Sequence, residues 1–362
     1  MASLGLIAVL VLTLAWANGA NDVSKGVATL TGSGVSQARR ALMWGTLWTV
    51  LGGMAAVLWG SQLVDTFSKG FLAPGIHFDQ LFLAASMIGA LCWILLATRF
   101  GLPVSTTHAL LGGVVGAALI MTGPAGIRAA AMANKALLPL LISPLIAIFL
   151  CGALVLAIRF ATRNVPQWRP GCCRVETWQR NPYACAPDGQ RLPPSQMKEK
   201  LWIALHWLSS GATSFARALN DVPKIAAFLI VAVSLAPESI PPILNNHPSW
   251  PILAVTLVMM LGSLWGGAKV LEVLAYRVTP MDSLSGLTAN LSTSIVVLLA
   301  SPLGLPVSTT HVSIGSLMGI RWAGEGKPNQ GDALKLVLFG WLITFPVAGA
   351  IAGIAAVAGK LF

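Results

Sequence analysis

Long apolar runs, separated by short groups of polar residues, dominate the chain. Runs of this kind occupy 42–60, 81–98, 136–158 and 252–274. They approach or exceed the roughly 20 residues that a helix needs to cross a bilayer. With the shorter apolar stretches between them, they predict an all-α integral membrane protein with about 10–12 transmembrane segments, some interrupted or re-entrant.

Two motifs occur twice, in the same order. The sequence GANDVSK at 19–25 has an echo, ALNDVPK, at 218–224, and GLPVSTTH at 101–108 recurs letter for letter at 304–311. The second copies follow the first by 199 and 203 positions, measured at the motif aspartates and histidines. Such a repeat indicates that one structural unit is present twice.

The duplication divides the chain into a first membrane repeat at 1–160, a linker at 161–200 and a second membrane repeat at 201–362. If each half crosses the membrane an odd number of times, the two repeats are inverted copies. An apolar stretch at 4–17, with no Lys or Arg before Lys25, is predicted to be a first membrane helix rather than a cleaved signal peptide. A Gly- and Thr-rich stretch that opens at the first Asn-Asp motif is predicted to interrupt this helix.

Composition supports this assignment. Hydrophobic residues make up 56% of the chain and charged residues 10%, whereas soluble domains carry about 25% charged residues. Much of the net charge of +11 arises in the linker, which has an excess of Lys and Arg. That excess is typical of a cytoplasmic loop. With the linker inside, the amino terminus is expected to lie outside, and the expected location is a bacterial inner (plasma) membrane. No pattern of stacking aromatic residues accompanies the charge, so a nucleic-acid partner is not expected.

The five cysteines do not predict a metal site. Cys92 and Cys151 lie in apolar runs and are interpreted as packing residues. Cys172, Cys173 and Cys185 lie in the linker, where a cytoplasmic location predicts reduced thiols. Their spacing matches no common zinc site.

The duplicated Asn-Asp motifs place charge at membrane depth. A charged side chain there costs at least ~2.5–3.5 kcal/mol, so it is expected to face a cavity or a partner. Asp22 and Lys25 are three residues apart, as are Asp221 and Lys224, so each pair shares one helix face. The alternative is two interfacial ion pairs with lysines that extend to the membrane surface. Duplication at matching positions argues against that alternative.

The Ser-Thr-Thr-His motifs predict an anion site at the start of two short helices. Ser and Thr suit the cap of a helix, and the first backbone N–H groups bind anions. Hydroxyl groups that can donate to a tetrahedral oxyanion, or turn a lone pair to a cation, belong to Ser105, Thr106, Thr107, Ser308, Thr309 and Thr310. The following residues, His108 and His311, are candidate proton carriers; the alternative is that each is hydrogen-bonded to backbone.

Short, interrupted segments at corresponding positions in two halves point to a transporter site at the bilayer midplane. The helix starts would hold an anion, while carboxylates and amide oxygens would hold a coupling cation. The chain has no Gly-x-Ser-x-Gly or His-Glu-x-x-His motif, and a duplicated site gives an enzyme no obvious benefit. A transporter is therefore favoured over an enzyme, and an anion channel would differ by showing conductance.

The same residues resemble the inorganic phosphate transporter (Pit) family. Its signature is Gly-Ala-Asn-Asp-Val near the start of each half and Pro-(Val/Ile)-Ser-Thr-Thr-His later, and GLTANLSTS at 286–294 also looks like its second half. The resemblance spans roughly residues 15–345. It implies an inverted-repeat, homodimeric secondary transporter that moves phosphate with Na⁺ or H⁺ and has no cofactor. It also implies substrate contacts at the motif hydroxyls and at Asn21, Asp22, Asn220 and Asp221.

The sequence departs from the family where Asn commonly stands, because Lys25 and Lys224 occupy those positions. A lysine ammonium beside an aspartate can take the place of a bound monovalent cation. The departure predicts that one or both sodium sites are lost, that coupling is to protons, and that a buried lysine carries the proton. The alternative is that the lysines contact the anion directly.

A polar cation site is predicted only in the second half. Its residues would be Thr288, Asn290, Ser292 and Thr293, whereas Ala85, Met87, Gly89 and Ala90 stand 203 positions earlier.

Phosphate is the expected substrate, and sulfate or another tetrahedral oxyanion is the alternative. Near neutral pH phosphate can still donate a hydrogen bond, whereas sulfate cannot. Asp22 and Asp221 can accept that bond and would repel a fully deprotonated anion. The two aspartates therefore favour phosphate.

Overall fold

The computed structural model describes residues 4–76, 78–163, 196–237, 249–279, 281–325 and 331–361, together with residues 241, 244 and 247. Helices account for nearly all of the secondary structure in these ranges, and one isolated bridge joins Leu72 to Ile127. The helices of the first half are α1 (Leu4–Gly32), α2 (Ala38–Trp59), α3 (Ser61–Lys69), α4 (Gln80–Arg99), α5 (Thr106–Met121), α6 (Ala129–Met132) and α7 (Leu138–Thr162). Those of the second half are α8 (Gln196–Leu235), α9 (Trp250–Trp265), α10 (Ala268–Glu272), α11 (Ser283–Ala300), α12 (Thr309–Ile320) and α13 (Gly331–Leu361).

Seven helical segments in the described ranges are long and apolar enough to cross a membrane. The pair α9 and α10 gives an eighth when it is counted as one span bent by 65°. Two further helices, α5 and α12, have 16 and 12 residues and are too short to span. The protein is an all-α integral membrane protein with short helices among its spans, as the apolar pattern predicts.

Equivalent helices of the two halves begin and end in the same way. Asp79 caps α4 and Asp282 caps α11, each accepting a backbone N–H three residues later. The loop that follows each of these helices turns at a glycine with positive φ, 70° at Gly101 and 68° at Gly304, a conformation that favours glycine. Each loop then leads into one of the two short helices, so the same local sequence gives the same local structure in both halves.

The two halves interlock. The short helix α5 packs extensively against α13, the closing helix of the second half, and α12 packs against α7, the closing helix of the first half. Helices α1 and α8 also contact each other. Each duplicated motif is therefore held by elements of both repeats.

Two expectations need correction. Helix α1 is not interrupted at the Asn-Asp motif but continues to Gly32, and α8 likewise continues through its motif with Pro223 inside the helix. Cys151 is buried as expected, but the prediction is wrong for Cys92, which is exposed on the outside of the helical bundle. The linker cysteines lie outside the described residues.

Candidate functional site

The Asn-Asp motifs lie within two of the membrane-spanning helices, α1 and α8. Both aspartates, both motif lysines and both motif asparagines are buried, with at most 4% of any of these residues exposed. Buried charges are costly unless they are paired and hydrogen-bonded. The surroundings of each aspartate therefore show what offsets that cost.

In the first half, the Asp22 carboxylate contacts three donors. Its Oδ2 accepts from Asn18 Nδ2 at 3.0 Å and from the Thr106 hydroxyl at 3.4 Å, and Lys25 Nζ donates to Oδ1. Lys25 Nζ also donates to the Val104 carbonyl oxygen at 3.1 Å. These contacts join the motif of α1 to the start of α5.

The second half repeats this arrangement. Lys224 Nζ donates to Asp221 Oδ1 at 3.4 Å and to the Val307 carbonyl at 2.9 Å. The Thr309 hydroxyl donates to Asp221 Oδ2 at 3.5 Å, and Asn220 Nδ2 donates to Oδ1 at 3.0 Å. The hydroxyl, the ammonium and the carbonyl that meet at Asp22 thus have equivalents at Asp221.

The two sites are joined by a pair of reciprocal hydrogen bonds. The Thr310 hydroxyl donates to the Val104 carbonyl at 2.7 Å, and the Thr107 hydroxyl donates to the Val307 carbonyl at 3.4 Å. Thr107 also accepts from Lys224 Nζ at 2.8 Å. The structure therefore brings the two Ser-Thr-Thr-His motifs together into one centre.

The motif asparagines bind the loops that precede the short helices. Asn21 Nδ2 donates to Thr98 Oγ1 at 2.9 Å and to the Leu102 carbonyl at 3.1 Å. Asn220 Oδ1 accepts from Ser301 Oγ at 3.3 Å, and Ser301 is the repeat equivalent of Thr98. Asn21 Oδ1 is buried with no hydrogen-bond partner among the described residues. It is thus an available acceptor beside Asp22.

The two serines act as caps, and the two histidine rings lie close together with their planes tilted by 38°. Ser105 Oγ accepts the backbone N–H of His108, and Ser308 Oγ accepts that of His311, both at 3.2 Å. The two imidazole rings lie 4.5 Å apart between centroids, and His311 also stacks on Trp341 at 3.8 Å. The candidate proton carriers of the two halves therefore adjoin each other, and Ser105 Oγ also contacts His108 Nδ1 at 2.9 Å.

The polar residues of α11 separate into two groups. Asn290 and Thr293 line a small cavity together with Lys25, Thr29 and Ser313, and Asn290 Nδ2 donates to Thr29 Oγ1 at 2.8 Å.

Thr288 and Ser292 lie elsewhere, and their hydroxyls donate to the backbone carbonyls of Ser285 and Ala147. The structure thus brings only Asn290 and Thr293 to the centre, on the Lys25 side.

Two central residues were missed by the sequence analysis. Asn18 and Arg217 stand four positions before Asp22 and Asp221, and the offset of 199 makes them equivalents. Arg217 Nη1 donates to Asn18 Oδ1 at 3.4 Å, so the two equivalents meet. Their spacing from the aspartates could have identified them. Residues four apart are neighbours on one face of a helix, so each of the two lies beside an aspartate.

The centre combines hydroxyl donors, two helix starts and paired charges. Hydroxyls and helix N-termini suit a tetrahedral oxyanion. Carboxylate, amide and carbonyl oxygens suit a hard monovalent cation or an ammonium group. Among the described residues, no cluster of three or more His, Cys, Asp and Glu side chains is placed to hold a metal ion.

Comparison with known proteins places these motifs in a family. The model of the phosphate transporter family matches residues 18–352. A protein of Pyrococcus furiosus named as a phosphate permease is 29% identical, over 94% of this chain and 92% of its own length. A protein of Rhizobium meliloti named as a probable low-affinity inorganic phosphate transporter is 27% identical, over 99% and 96%.

One solved structure is also similar. It is that of a sodium-dependent phosphate transporter, with a TM-score of 0.84, 24% sequence identity and full coverage of both chains. At this level of identity the similarity shows that the two chains share a fold.

Proposed function

The chain belongs to the phosphate transporter family, and on this basis we propose that it is a secondary transporter that carries inorganic phosphate across a membrane with protons as the coupling ion. The family consists of transporters, not enzymes. The proposed substrate site is the centre between the two Ser-Thr-Thr-His motifs, where α5 and α12 begin.

The donors at this centre support an anionic substrate. Thr106 and Thr309 donate to the aspartates, and Thr107 and Thr310 donate to carbonyls of the opposite motif. A hydroxyl can rotate to a new acceptor without moving its helix. Phosphate that enters between the motifs can therefore take over these four donors, and opening the reciprocal bonds would be part of the transport step.

The two motif lysines carry the proposal of proton coupling. Lys224 Nζ is surrounded by a carboxylate, a carbonyl and a hydroxyl oxygen, and Lys25 Nζ by a carboxylate and a carbonyl. Such oxygen sets are what a sodium ion would bind. The lysine ammonium group in each position supplies the positive charge that a bound monovalent cation would otherwise provide. A buried lysine can also release its proton during the transport cycle.

The two adjacent histidines, His108 and His311, are proposed as further proton carriers. Their ring centroids lie 4.5 Å apart, and Ser105 Oγ contacts His108 Nδ1 within the first turn of α5. Proton transfer between the two halves would then need only small ring movements.

Uptake by proteoliposomes tests the function and the coupling together. The purified protein is supplied with labelled phosphate under an imposed pH gradient without Na⁺, or an imposed Na⁺ gradient at equal pH, with sulfate as competitor. We expect saturable uptake driven by the pH gradient alone. Uptake that requires Na⁺ would contradict proton coupling, and sulfate uptake without phosphate uptake would contradict the substrate assignment.

Substitution of the lysines tests the cation analogy. Lys25→Asn and Lys224→Asn remove an ammonium but leave the carboxylate and carbonyl that surround it. We expect each variant to lose uptake driven by the pH gradient and to gain a dependence on Na⁺. Lys69→Asn is the matched control, because Lys69 is 81% exposed and pairs with the exposed Asp65. Unchanged coupling in both lysine variants would exclude the analogy.

A further inference from the structure

Arg217 is a buried cation at the centre of the molecule. It lies on α8, one helical turn before Asp221, and only 1% of the residue is exposed. Fully buried arginines are rare unless they are paired with an acid. Its partners therefore indicate what it is for.

Among the described residues, the groups that Arg217 contacts directly are neutral. Nη1 donates to Asn18 Oδ1 at 3.4 Å and lies 3.7 Å from Met259 Sδ, and Nη2 donates to Thr49 Oγ1. Its Nε is buried with no hydrogen-bond partner in the described part of the chain. A guanidinium has five N–H donors and matches oxyanions well. Because the Nη1 contacts are long and Nε has no such partner, part of this capacity to donate hydrogen bonds is unused.

The charges at the centre do not balance. Asp22 is paired with Lys25, and Asp221 with Lys224, so the two carboxylates are already matched by two ammonium groups. Arg217 forms no ion pair with any of the described carboxylates and adds a third cation. A surplus positive charge inside a membrane protein is costly without a counter-charge.

Asn18 connects Arg217 to the proposed substrate site. The Asn18 amide donates to Thr106 Oγ1 at 2.7 Å and to Asp22 Oδ2, while its Oδ1 accepts from Arg217. The guanidinium is thus separated by one side chain from the start of α5. An equivalent arginine at position 18 would bring two like charges into contact, which explains why the repeats differ here.

From this geometry we infer that Arg217 is a specificity-determining residue, whose surplus positive charge sets the site to accept one negative charge at a time. The inference rests on the proposed function and adds the charge of the transported species. A singly charged tetrahedral anion makes the loaded centre neutral. A doubly charged anion leaves it with a buried negative charge, so sulfate is discriminated against by charge and not by shape.

The test compares Arg217→Gln, Arg217→Lys and the wild-type protein in phosphate uptake, with two tetrahedral competitors. Hypophosphite carries a single negative charge and sulfate carries two. We expect hypophosphite, and not sulfate, to inhibit the wild-type protein. Arg217→Gln should raise the KM for phosphate by about tenfold or more and lose inhibition by hypophosphite, whereas Arg217→Lys should keep it. Arg128→Gln, at an exposed position, is the matched control.

The outcomes separate the two proposals. A wild-type protein that moves no phosphate contradicts the proposed function. If the wild type transports and Arg217→Gln retains its KM and its inhibition by hypophosphite, the role of Arg217 is excluded; a purely structural role would lower the amount of active protein without changing inhibition. If Arg217→Gln does not fold, the wild-type protein still provides a test. Equal inhibition of its phosphate uptake by sulfate and by hypophosphite would contradict the proposal that the site accepts one negative charge at a time.

Discussion

At the scale of the residue, the two aspartates define the centre of the molecule. Asp22 accepts from a hydroxyl, an amide and an ammonium group, and Asp221 does the same in the second half. Each carboxylate holds its lysine and its short helix at once. In the proposed function, both aspartates accept a hydrogen bond from a protonated phosphate.

We predict that Asp22→Asn and Asp221→Asn each reduce phosphate uptake to the level of protein-free liposomes. The amide keeps the size of the side chain but removes the negative charge that balances the neighbouring lysine, so the loaded site would hold an extra charge. Labelled uptake measures the effect, and size-exclusion chromatography checks the fold. Asp65→Asn is the control, since Asp65 is 63% exposed. Wild-type uptake in either central variant would contradict the proposal that both aspartates belong to one substrate site.

At the scale of the element, the interlocking of the repeats depends on close contact between helices. Glycines on α5 allow its backbone to approach that of α13, the closing helix of the other half. A Cβ added at Gly116 would lie 2.0 Å from the Gly349 carbonyl oxygen, whereas one at Gly353 on the same interface would meet its nearest atom at 3.4 Å. The position of α5, and with it the first Ser-Thr-Thr-His motif, is therefore set by this contact.

We predict that Gly116→Ala destabilises the protein by about 1–3 kcal/mol, the usual cost of inserting atoms into a packed interface. Gly353→Ala on α13 should be close to neutral, because the site has ordinary van der Waals space for a methyl group. Thermal unfolding in detergent compares the two variants. Equal midpoints would show that the helices can separate without cost, and that α5 is not fixed by this contact.

At the scale of the whole molecule, the arrangement of the two halves determines which motifs meet. Each short helix packs on the closing helix of the opposite repeat, and its first turn is hydrogen-bonded to the loop that precedes the other short helix. This exchange brings the hydroxyls, lysines and histidines of both copies into one site. Inversion of the repeats and assembly as a homodimer stay predictions, and the direction in which the chain enters the membrane can be tested directly.

We predict that the linker at 161–200 faces the cytoplasm. A membrane-impermeant maleimide should label Cys172, Cys173 and Cys185 in inside-out vesicles but not in intact cells, because the basic linker stays on the cytoplasmic side. Cys92, on a membrane span, should not react from either side. Replacement of the three linker cysteines by serine gives the background signal. Labelling of the linker cysteines in intact cells would show the opposite orientation.

Sequence alone determined the class of the protein, the duplication and most residues of the buried polar centre. Apolar runs, motif repeats and helix caps depend on neighbouring residues, so Asp22, Asp221 and the two Ser-Thr-Thr-His motifs could be found by reading the chain. The continuity of α1 through its motif was misread, because Gly and Thr residues weaken an isolated helix but are tolerated where packing supplies the stability.

Only the tertiary structure decided which of these residues meet. The reciprocal bonds of Thr107 and Thr310 join positions 200 or more residues apart, and the pairing of Asn18 with Arg217 joins two helices from different repeats. Likewise, Asn290 reaches the centre, but Thr288 and Ser292 bind backbone elsewhere. Such contacts depend on how helices pack and rotate against one another, and no local pattern in the sequence records that.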